Sequence, residues 1–318
     1  MSVVLYLDKI SGQMEKVLLG VCPEGLEIKF LDPVYGVKGT IEEANYFLAT
    51  NYLVTKEVID KAPSLKMVQR TGVGYDNVDI GHAKSRNVPV SITLGTNASS
   101  VAELTILFML ALYRKLIILN SAAKEGKWIS WTYRHESFEL LGKTIGVIGA
   151  GAIGREVIKR LLPFGVKVVY YDVYRLKPEV EAELGITYCG LDELLAQADI
   201  VTIHVPWLES TRGLIGRSEL AKMKKNAVLI NTARGPIVDQ KALVEALKAG
   251  NIAGAGLDVF DPEPFTAGAD ILQFENVLTT PHIGAATLDN YLRVFDFCIA
   301  NIQRAERNEK PLNVINGL

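Results

Sequence analysis

Three side chains suited to acid/base and anion-binding chemistry follow short β-branched runs in the last third of the sequence. They are Arg234, Glu263 and His282. A planar guanidinium can hold a carboxylate through two hydrogen bonds, and a histidine exchanges protons near neutral pH. A glutamate beside that histidine would fix its tautomer and stabilise the imidazolium. With a hydride donor, this set could reduce a 2-keto acid to a 2-hydroxy acid.

Each of the three residues also has a structural explanation when it is considered alone. Arg234 could be a surface arginine, Glu263 a solvated loop acid, and His282 a helix cap or a packed structural histidine. Ligand sites in open α/β sheets lie beyond the carboxyl ends of the strands, and all three residues occupy such ends. The set together therefore favours a catalytic site, with Arg234 as carboxylate clamp and His282 and Glu263 as the acid/base pair.

A glycine-rich motif upstream supplies the expected hydride donor. The motif Gly149-Ala150-Gly151-Ala152-Ile153-Gly154 follows the predicted strand Thr144–Ile148 and opens the helical stretch Arg155–Leu162. Its glycines suit a tight turn, a close backbone approach to a pyrophosphate, and close helix–strand packing. The N–H groups of the helix start would bind the anion. A strand–turn–helix context makes this GxGxxG specific for a dinucleotide.

The next predicted strand ends in an acid that indicates which dinucleotide binds. Asp172 lies about 20 residues beyond the motif, where an acidic side chain binds the adenine-ribose hydroxyls and repels a 2′-phosphate. Arg175 could favour NADP, although a solvated loop arginine is the simpler interpretation. The sequence therefore predicts NAD.

The elements that position these residues alternate between β-branched runs and helical patterns, which is typical of parallel sheets with crossover helices. The predicted strands are Val3–Leu7, Glu27–Leu31, Tyr46–Ala49, Lys66–Arg70, Pro89–Thr93, Thr144–Ile148, Lys167–Asp172, Ile200–His204, Ala227–Asn231, Gly256–Val259 and Val277–Thr280. The alternation is interrupted near Asn97 by a long helix and the segment Gly126–Glu139. Two α/β domains are expected, and the final helix, Leu288–Arg307, could return to the first.

Composition excludes several other classes of protein. The 318 residues have a formal net charge of −2 and 22% charged residues, so a nucleic-acid or polybasic membrane surface is not expected. The apolar helix candidate Leu104–Tyr113 is shorter than the roughly 20 residues of a membrane span. Three scattered cysteines and four histidines without ligand spacing predict no metal site and a reducing, cytoplasmic location.

Over nearly its whole length the sequence resembles the D-isomer-specific 2-hydroxyacid dehydrogenase family. The matching segments are Gly72–Asp79, Asn97–Glu103, Gly149–Gly154, His204–Pro206, Asn231–Gly235, Leu257–Phe260 and Pro281–Gly284. The resemblance implies two Rossmann-like doubly wound domains with the active site in the cleft between them. Residues 1–97 and 286–318 would form the substrate domain, and residues 98–285 the NAD-binding domain.

The resemblance also implies roles for individual residues. Arg234 would bind the substrate carboxylate, His282 would act as acid/base with Glu263 as its partner, and the backbone at Val73 and Gly74 would meet the substrate. The implied cofactor contacts beyond the glycine motif are Val205, Pro206, Thr232, Ala233, Asp258 and Gly284. Members usually form homodimers through the segment that corresponds here to about 99–140.

Within the family, Arg70 and the following Gly72–Gly74 are closest to the phosphoglycerate dehydrogenase and hydroxypyruvate reductase branch. Arg70 would then bind a second anionic or polar group of the substrate, which favours 3-phosphoglycerate or glycerate and their keto acids. Alternatively it is a structural arginine at a strand end. Arg134 could supply a further charge, and His204 is interpreted as a packed histidine near the cofactor.

Two other functions are each compatible with part of this pattern. A dinucleotide-sensing corepressor of the same family would keep the same three catalytic residues, but it would also need a peptide-binding cleft and extended tails. An amino-acid dehydrogenase would need a lysine in place of the histidine. The sequence favours an NAD-dependent dehydrogenase of small 2-hydroxy acids.

Overall fold

The computed structural model describes residues 1–266 and 268–318, and the chain divides into two compact units. The first unit comprises Met1–Asn97 and Ala286–Leu318, and the second comprises Ala98–Ala285. Each unit is built on one sheet, of five strands in the first and seven in the second. The predicted fold class, two doubly wound α/β domains, is confirmed.

The first unit begins with alternating strands and short helices. They are β1 (Ser2–Tyr6), α1 (Gly12–Gly20), β2 (Leu26–Phe30), β3 (Tyr46–Ala49), α2 (Lys56–Asp60), β4 (Met67–Arg70), α3 (Ile80–Ser85) and β5 (Val90–Ser91). The strands are parallel in the order β2-β1-β3-β4-β5. Strands β3 and β4 are buried along their whole length. This burial explains the apolar sequence of β3, whereas β4 ends in two buried polar residues, Gln69 and Arg70.

The second unit starts with two helices and continues as a longer alternating series. Its elements are α4 (Ala98–Tyr113), α5 (Leu116–Lys124), β6 (Thr144–Ile148), α6 (Ala152–Leu161), β7 (Lys167–Tyr171), α7 (Pro178–Leu184), β8 (Thr187–Tyr188), α8 (Leu191–Gln197), β9 (Ile200–Ile203), α9 (Arg217–Lys222), β10 (Val228–Asn231), α10 (Gln240–Lys248), β11 (Gly254–Leu257) and β12 (Val277–Thr279). Short 3₁₀ turns lie at Arg134–Glu136, Leu162–Phe164, Glu209–Thr211, Gly235–Ile237 and Asp270–Gln273.

The strand order of the second sheet determines where a ligand can bind. The strands follow the order β12-β11-β10-β9-β6-β7-β8, and all pairs are parallel. The chain leaves β6 toward β7 on one side and returns to β9 on the other, so the order reverses between β6 and β9. Open α/β sheets bind their ligands beyond the carboxyl ends of the strands at such a reversal.

Helix α4 packs over the second sheet rather than lying on the surface. Ala102, Phe108 and Met109 are buried with apolar residues of β6 and β10 in one cluster. The single long helix expected after Asn97 is interrupted at Lys115, whose φ of 51° is left-handed, and α5 continues from Leu116. Neither glycine nor proline marks this break in the sequence.

The final helix, α11 (Leu288–Glu306), belongs to the first unit. Phe295 and Cys298 are completely buried against a core that includes Tyr6 and Tyr46. The Asn301 amide nitrogen donates to Gln69 Oε1 at 2.8 Å and to Ser91 Oγ at 2.9 Å. An apolar face and a buried amide therefore fix α11 to strands β4 and β5. Within residues 1–266 and 268–318, no helix combines the length and apolarity that a bilayer crossing requires.

Candidate active site

The turn after β6 has the geometry of a dinucleotide cradle. Gly149 has φ of +96°, and a Cβ there would lie 2.8 Å from Val205 N. A Cβ on Gly154 would lie 2.0 Å from Gly149 O, whereas one on Gly151 would meet nothing within 4 Å. Packing therefore requires glycine at 149 and 154, whereas Gly151 leaves the turn open. Helix α6 starts beside this turn, with Ala152 and Ile153 as its first residues. This turn fits a pyrophosphate, which would be held by backbone N–H groups and the helix start.

Asp172 lies directly after β7 and contacts the same turn. Its Oδ2 accepts a hydrogen bond from Ala150 N at 2.8 Å, and its Oδ1 accepts one from Tyr174 N at 3.0 Å. The carboxylate is therefore fixed beside the glycine turn, as binding of an adenine ribose requires.

The other residues expected near the cofactor follow strands β9 and β10. Val205 and Pro206 come just after β9, and Pro206 O accepts a hydrogen bond from Thr211 Oγ1 at 2.7 Å. Thr232 and Ala233 follow β10, and Thr232 Oγ1 lies 3.0 Å from Thr105 Oγ1 of α4. These residues flank the strand reversal, where the sheet order places a ligand.

His204 occupies the same edge but is not suited to proton transfer. Its Nε2 lies 2.9 Å from Thr202 Oγ1, and its Nδ1 is buried without a hydrogen-bond partner among the described residues. Burial lowers the pKa of His204 to about 3, so the ring is neutral at physiological pH. This environment agrees with the interpretation of His204 as a packed residue.

His282 and Glu263 form a hydrogen-bonded pair. His282 Nδ1 lies 2.8 Å from Glu263 Oε2, while Glu263 Oε1 accepts a hydrogen bond from Phe260 N at 2.9 Å. Burial alone would raise the pKa of Glu263, but the hydrogen bonds from His282 and Phe260 and the charge of Arg234 together lower it. Glu263 is therefore a carboxylate at neutral pH and orients the ring. Nε2 of His282 has no protein partner within the described part of the chain and is available to a ligand.

Arg234 contributes a partly exposed guanidinium to the same site. Its charge acts on Glu263, and its Nη1 donates to Ala233 O at 2.7 Å. The turn that carries it is fixed by Asn231, which donates from Nδ2 to Arg234 O at 2.9 Å and accepts at Oδ1 from Ala233 N at 3.0 Å. The remaining guanidinium nitrogens have no acceptor among residues 1–266 and 268–318, so they can hold a ligand carboxylate.

Asp258 supports the turn that carries His282. The Asp258 side chain is 1% exposed, and it accepts hydrogen bonds from Thr280 Oγ1 at 2.5 Å and from the N–H groups of Ile283 and Gly284, both at 2.7 Å. Its main-chain carbonyl accepts from His282 N at 2.8 Å. His282 has φ of 55°, a region that residues other than glycine seldom occupy. Asp258 therefore fixes a strained turn from both its side chain and its backbone.

Two glycines allow these turns to approach each other closely. A Cβ on Gly235 would lie 1.8 Å from Phe260 O, and one on Gly284 would lie 3.0 Å from Asp258 Oδ2. Any other residue at Gly235 would push the Arg234 turn away from the segment that leads to Glu263. Close packing therefore explains why glycine occupies positions 235 and 284.

Arg70 is hydrogen-bonded to the backbone of its own unit. The residue is 6% exposed, and its guanidinium donates to three backbone carbonyls of the first unit. Nε and Nη2 donate to Gly74 O at 2.9 and 2.8 Å, and Nη1 donates to Ala49 O at 3.2 Å and to Thr50 O. These bonds favour the structural alternative, in which Arg70 ties the turn after β4 to the end of β3.

The turn held by Arg70 presents free donors. The N–H groups of Val73 and Gly74 donate to no protein acceptor in the part of the chain that the structure describes, and both residues are half-buried. On the opposite side of this turn, Thr93 N donates to Gly72 O at 3.1 Å. A half-buried pair of free N–H groups suits an anion such as a carboxylate.

Arg134 lies in a 3₁₀ turn of the second unit, and its guanidinium stacks on the Trp131 ring at 3.4 Å.

No group of three potential metal ligands occurs among the described residues.

Several residues that shape the site were not singled out from the sequence. Asn231 could have been recognised, because asparagine at a strand end commonly bonds to the backbone two residues on. Thr105 and Thr280 carry no such signal, since their partners are distant in the chain.

Comparison with known proteins identifies the family. Residues 106–284 match the family described as D-isomer specific 2-hydroxyacid dehydrogenase, NAD binding domain. A glyoxylate reductase of Korarchaeum cryptofilum is 38% identical over 83% of this chain and 80% of its own. A hydroxypyruvate reductase of Thermotoga maritima is 44% identical over 76% of this chain and 78% of its own. The chain belongs to the D-isomer specific 2-hydroxyacid dehydrogenase family.

The similarity extends to another named activity and to a solved structure. A D-3-phosphoglycerate dehydrogenase of Methanocaldococcus jannaschii is 41% identical over 83% of this chain but only 50% of its own length. The TT0316 protein of Thermus thermophilus superimposes with a TM-score of 0.86 at 34% identity, covering 98% of this chain and 99% of that one. The chain is therefore an NAD-dependent oxidoreductase that interconverts 2-hydroxy and 2-keto acids, as the sequence predicted.

Proposed function

We propose that the preferred substrate is a small 2-keto acid with one negative charge, such as hydroxypyruvate or glyoxylate, which is reduced to the D-2-hydroxy acid. The observation that carries this proposal is the engagement of Arg70 with three backbone carbonyls. A guanidinium used in this way is poorly placed to bind a second anionic group. The names of the relatives from Korarchaeum and Thermotoga are consistent with such substrates.

Arg234 would hold the substrate carboxylate, and Val73 and Gly74 are proposed as further anion-binding residues. Arg234 offers free guanidinium nitrogens, and Val73 and Gly74 offer free N–H groups. A carboxylate held by several charge-assisted or oriented donors is fixed in position, which fixes the adjacent carbonyl for reaction. Bound NADH would supply the hydride to that carbonyl carbon.

His282 would supply the proton. As the carbonyl oxygen gains negative charge, the protonated Nε2 of His282 would donate its proton to it. Glu263, ionised and bonded to Nδ1, would stabilise the imidazolium before the transfer and keep Nε2 aimed at the substrate. Asp258 would act through the turn rather than on the substrate, because its oxygens already accept hydrogen bonds from Thr280, Ile283 and Gly284.

Steady-state kinetics with NADH test the substrate proposal. We expect kcat/KM for hydroxypyruvate or glyoxylate to exceed that for 3-phosphohydroxypyruvate, because the Arg70 guanidinium is engaged with backbone carbonyls. Pyruvate and branched 2-keto acids complete the panel and measure the preference for small polar substrates. A higher kcat/KM for 3-phosphohydroxypyruvate than for every other acid would contradict the proposal and favour the phosphoglycerate dehydrogenase branch.

We further propose that two copies of the chain pair through the segment 99–140 and its neighbour Leu141. Six exposed large apolar side chains lie there: Leu107, Leu116, Ile117, Trp128, Trp131 and Leu141. Apolar surface of this extent on one segment is typical of an interface. Light scattering should give the mass of a dimer, and Leu107→Glu should shift it toward a monomer. Leu53→Glu, at an exposed position of the first unit, should not.

A cytoplasmic location is proposed on the chemistry of the cysteines. Cys22, Cys189 and Cys298 are all free thiols, and the last two are buried. Cell fractionation tests this location, and recovery of the protein from an oxidising compartment would contradict it.

A further inference from the structure

The loop between β7 and α7 carries two side chains with opposite effects on cofactor choice. Asp172 begins the loop and Arg175 follows three residues later. An acid at this place binds the ribose hydroxyls of NAD, whereas an arginine nearby can accommodate the 2′-phosphate of NADP. The loop therefore contains a residue for each cofactor, and the orientation of Arg175 matters.

Arg175 is held by the helix that follows the loop. Its Nε donates to Glu181 Oε1 at 2.8 Å and its Nη2 donates to Glu181 Oε2 at 2.9 Å, a two-pronged pairing. The guanidinium also lies over the ring of Tyr188, 5.0 Å from its centroid. Bidentate pairing and ring contact both restrict the guanidinium to one orientation.

Glu181 is itself fixed by the end of strand β7. Tyr170 OH donates to Glu181 Oε1 at 2.6 Å and accepts a hydrogen bond from Leu176 N at 2.9 Å. The Glu181 side chain is 12% exposed, whereas that of Arg175 is 57% exposed. Hydrogen bonds from Arg175 and Tyr170 lower the pKa of Glu181 to about 2, so the carboxylate is charged throughout the physiological range. The exposed arginine is thus held by a sheltered and permanently charged partner.

We propose that Glu181 is a second determinant of cofactor choice, because by holding Arg175 on helix α7 it withholds the loop's only guanidinium from a 2′-phosphate. Preference for NAD then has two sources. Asp172 repels the 2′-phosphate, and Glu181 holds back the Arg175 guanidinium that could offset this repulsion. A change at Glu181 alone would weaken the discrimination without altering the acid that binds the ribose.

Direct binding measurements test the proposal without turnover. Dissociation constants of NADPH and NADH are measured by calorimetry or tryptophan fluorescence on the whole chain. In Glu181→Gln we expect NADPH to bind about fivefold more tightly, the scale of one partly exposed ion pair, while NADH affinity changes little. Added salt should reduce the gain, since the new contact is between exposed charges.

The matched control is Glu179→Gln. Glu179 lies on the same helix, is exposed, and has no hydrogen bond or ion pair among the described residues. Its replacement removes the same charge but leaves Arg175 held, so NADPH affinity should stay at the wild-type value. An equal gain in this control would mean that only net charge matters, which would overturn the proposal.

Arg175→Ala provides a second test that does not depend on the folding of the Glu181 variant. In the wild-type background it should leave NADPH affinity unchanged, because the guanidinium is already withheld. Combined with Glu181→Gln it should abolish the gain. The proposal fails if Arg175→Ala alone weakens NADPH binding, or if a folded Glu181→Gln variant binds NADPH no more tightly. It also fails if NADH affinity falls instead, since the released arginine would then have paired with Asp172.

Discussion

Each unit contains a turn that is supported by one buried charged side chain. The charge is positive in the first unit and negative in the second. After β4, the guanidinium of Arg70 donates to the carbonyls of Ala49, Thr50 and Gly74. After β12, the carboxylate of Asp258 accepts from Thr280 Oγ1 and from two backbone N–H groups. Each charge is nearly excluded from water, and each is stable there because its hydrogen-bonding groups are paired.

The sign of the supporting charge determines what each turn has left to offer a ligand. A cation such as the Arg70 guanidinium donates hydrogen bonds to backbone carbonyls. The N–H groups of Val73 and Gly74 in the turn after β4 therefore stay free for an anion. An anion such as the Asp258 carboxylate accepts hydrogen bonds from backbone N–H groups. The N–H groups of Ile283 and Gly284 are therefore already paired, and the turn after β12 presents the His282 side chain instead. The free donors of the first turn therefore suit an anion, and the side chain presented by the second turn suits proton transfer.

The largest effect is expected from replacing His282, the proposed proton donor. His282→Asn should lower kcat for keto-acid reduction by about 10²–10⁴, because general acid catalysis is lost. NADH binding, measured by fluorescence, should persist. His135→Asn is the control, since the His135 side chain is highly exposed and pairs with the neighbouring Glu136. Near wild-type turnover in His282→Asn would remove His282 from the proposed mechanism.

Removing the anionic support should misplace His282 without deleting it. Asp258→Asn places an amide donor against backbone donors, so the turn should shift, and a displacement near 1 Å can cost about 100-fold in kcat. Stability should also fall by about 2 kcal/mol, the cost of leaving buried N–H groups unpaired. Asp261→Asn, at an exposed position nearby, should change neither quantity. A stable and fully active Asp258→Asn variant would show that the turn does not depend on this carboxylate.

Replacing Arg70 tests how much the turn after β4 depends on its guanidinium. Arg70→Lys loses the two-pronged contact with Gly74 O, so KM should rise about tenfold for every keto acid, with a smaller change in kcat. Arg86→Lys, an exposed arginine of the same unit that pairs with Asp60, is the control. A loss confined to 3-phosphohydroxypyruvate would instead place the Arg70 guanidinium on the substrate and reverse our interpretation.

The smallest effect concerns pH. Hydrogen bonds and nearby positive charge lower the pKa of Glu263, so its carboxylate supports the imidazolium from acidic pH upward and loses this role only as pH falls through that lowered value. Glu263→Gln lacks the charge at every pH. Keto-acid reduction, which needs the protonated ring, should therefore decline at a lower pH than in the wild type. An unchanged pH–rate profile would indicate that Glu263 only orients the ring.

Much of the fold could be read from the sequence because the strands are short apolar runs that end in recognisable turns. Strands Tyr46–Ala49 and Thr144–Ile148 have the predicted bounds. Strand β11 begins at Gly254, two residues before its prediction, since glycine has little strand propensity and is placed there by its packing against Asn276. The break at Lys115 was invisible because an ordinary residue adopts the left-handed conformation there.

For the candidate site, residue types could be predicted but not the partners of their polar atoms. The sequence indicates a charged residue at Arg70 and another at Asp258, and it places both at or near strand ends. Whether such a group faces a ligand or the backbone depends on carbonyls and N–H groups that are distant in the chain. For Arg70 this difference changes the expected substrate.

The return of helix α11 to the first unit has a consequence for synthesis. Apolar residues of this helix complete the core around Tyr6 and Tyr46, yet they follow the entire second unit in the chain. On the ribosome, residues 1–97 must wait until residues 98–285 have been made before α11 can cover its part of their core. Exposure of this apolar surface favours chaperone contact. Nascent chains stalled before residue 286 should therefore be cut by protease within 1–97, and chains that include α11 should resist.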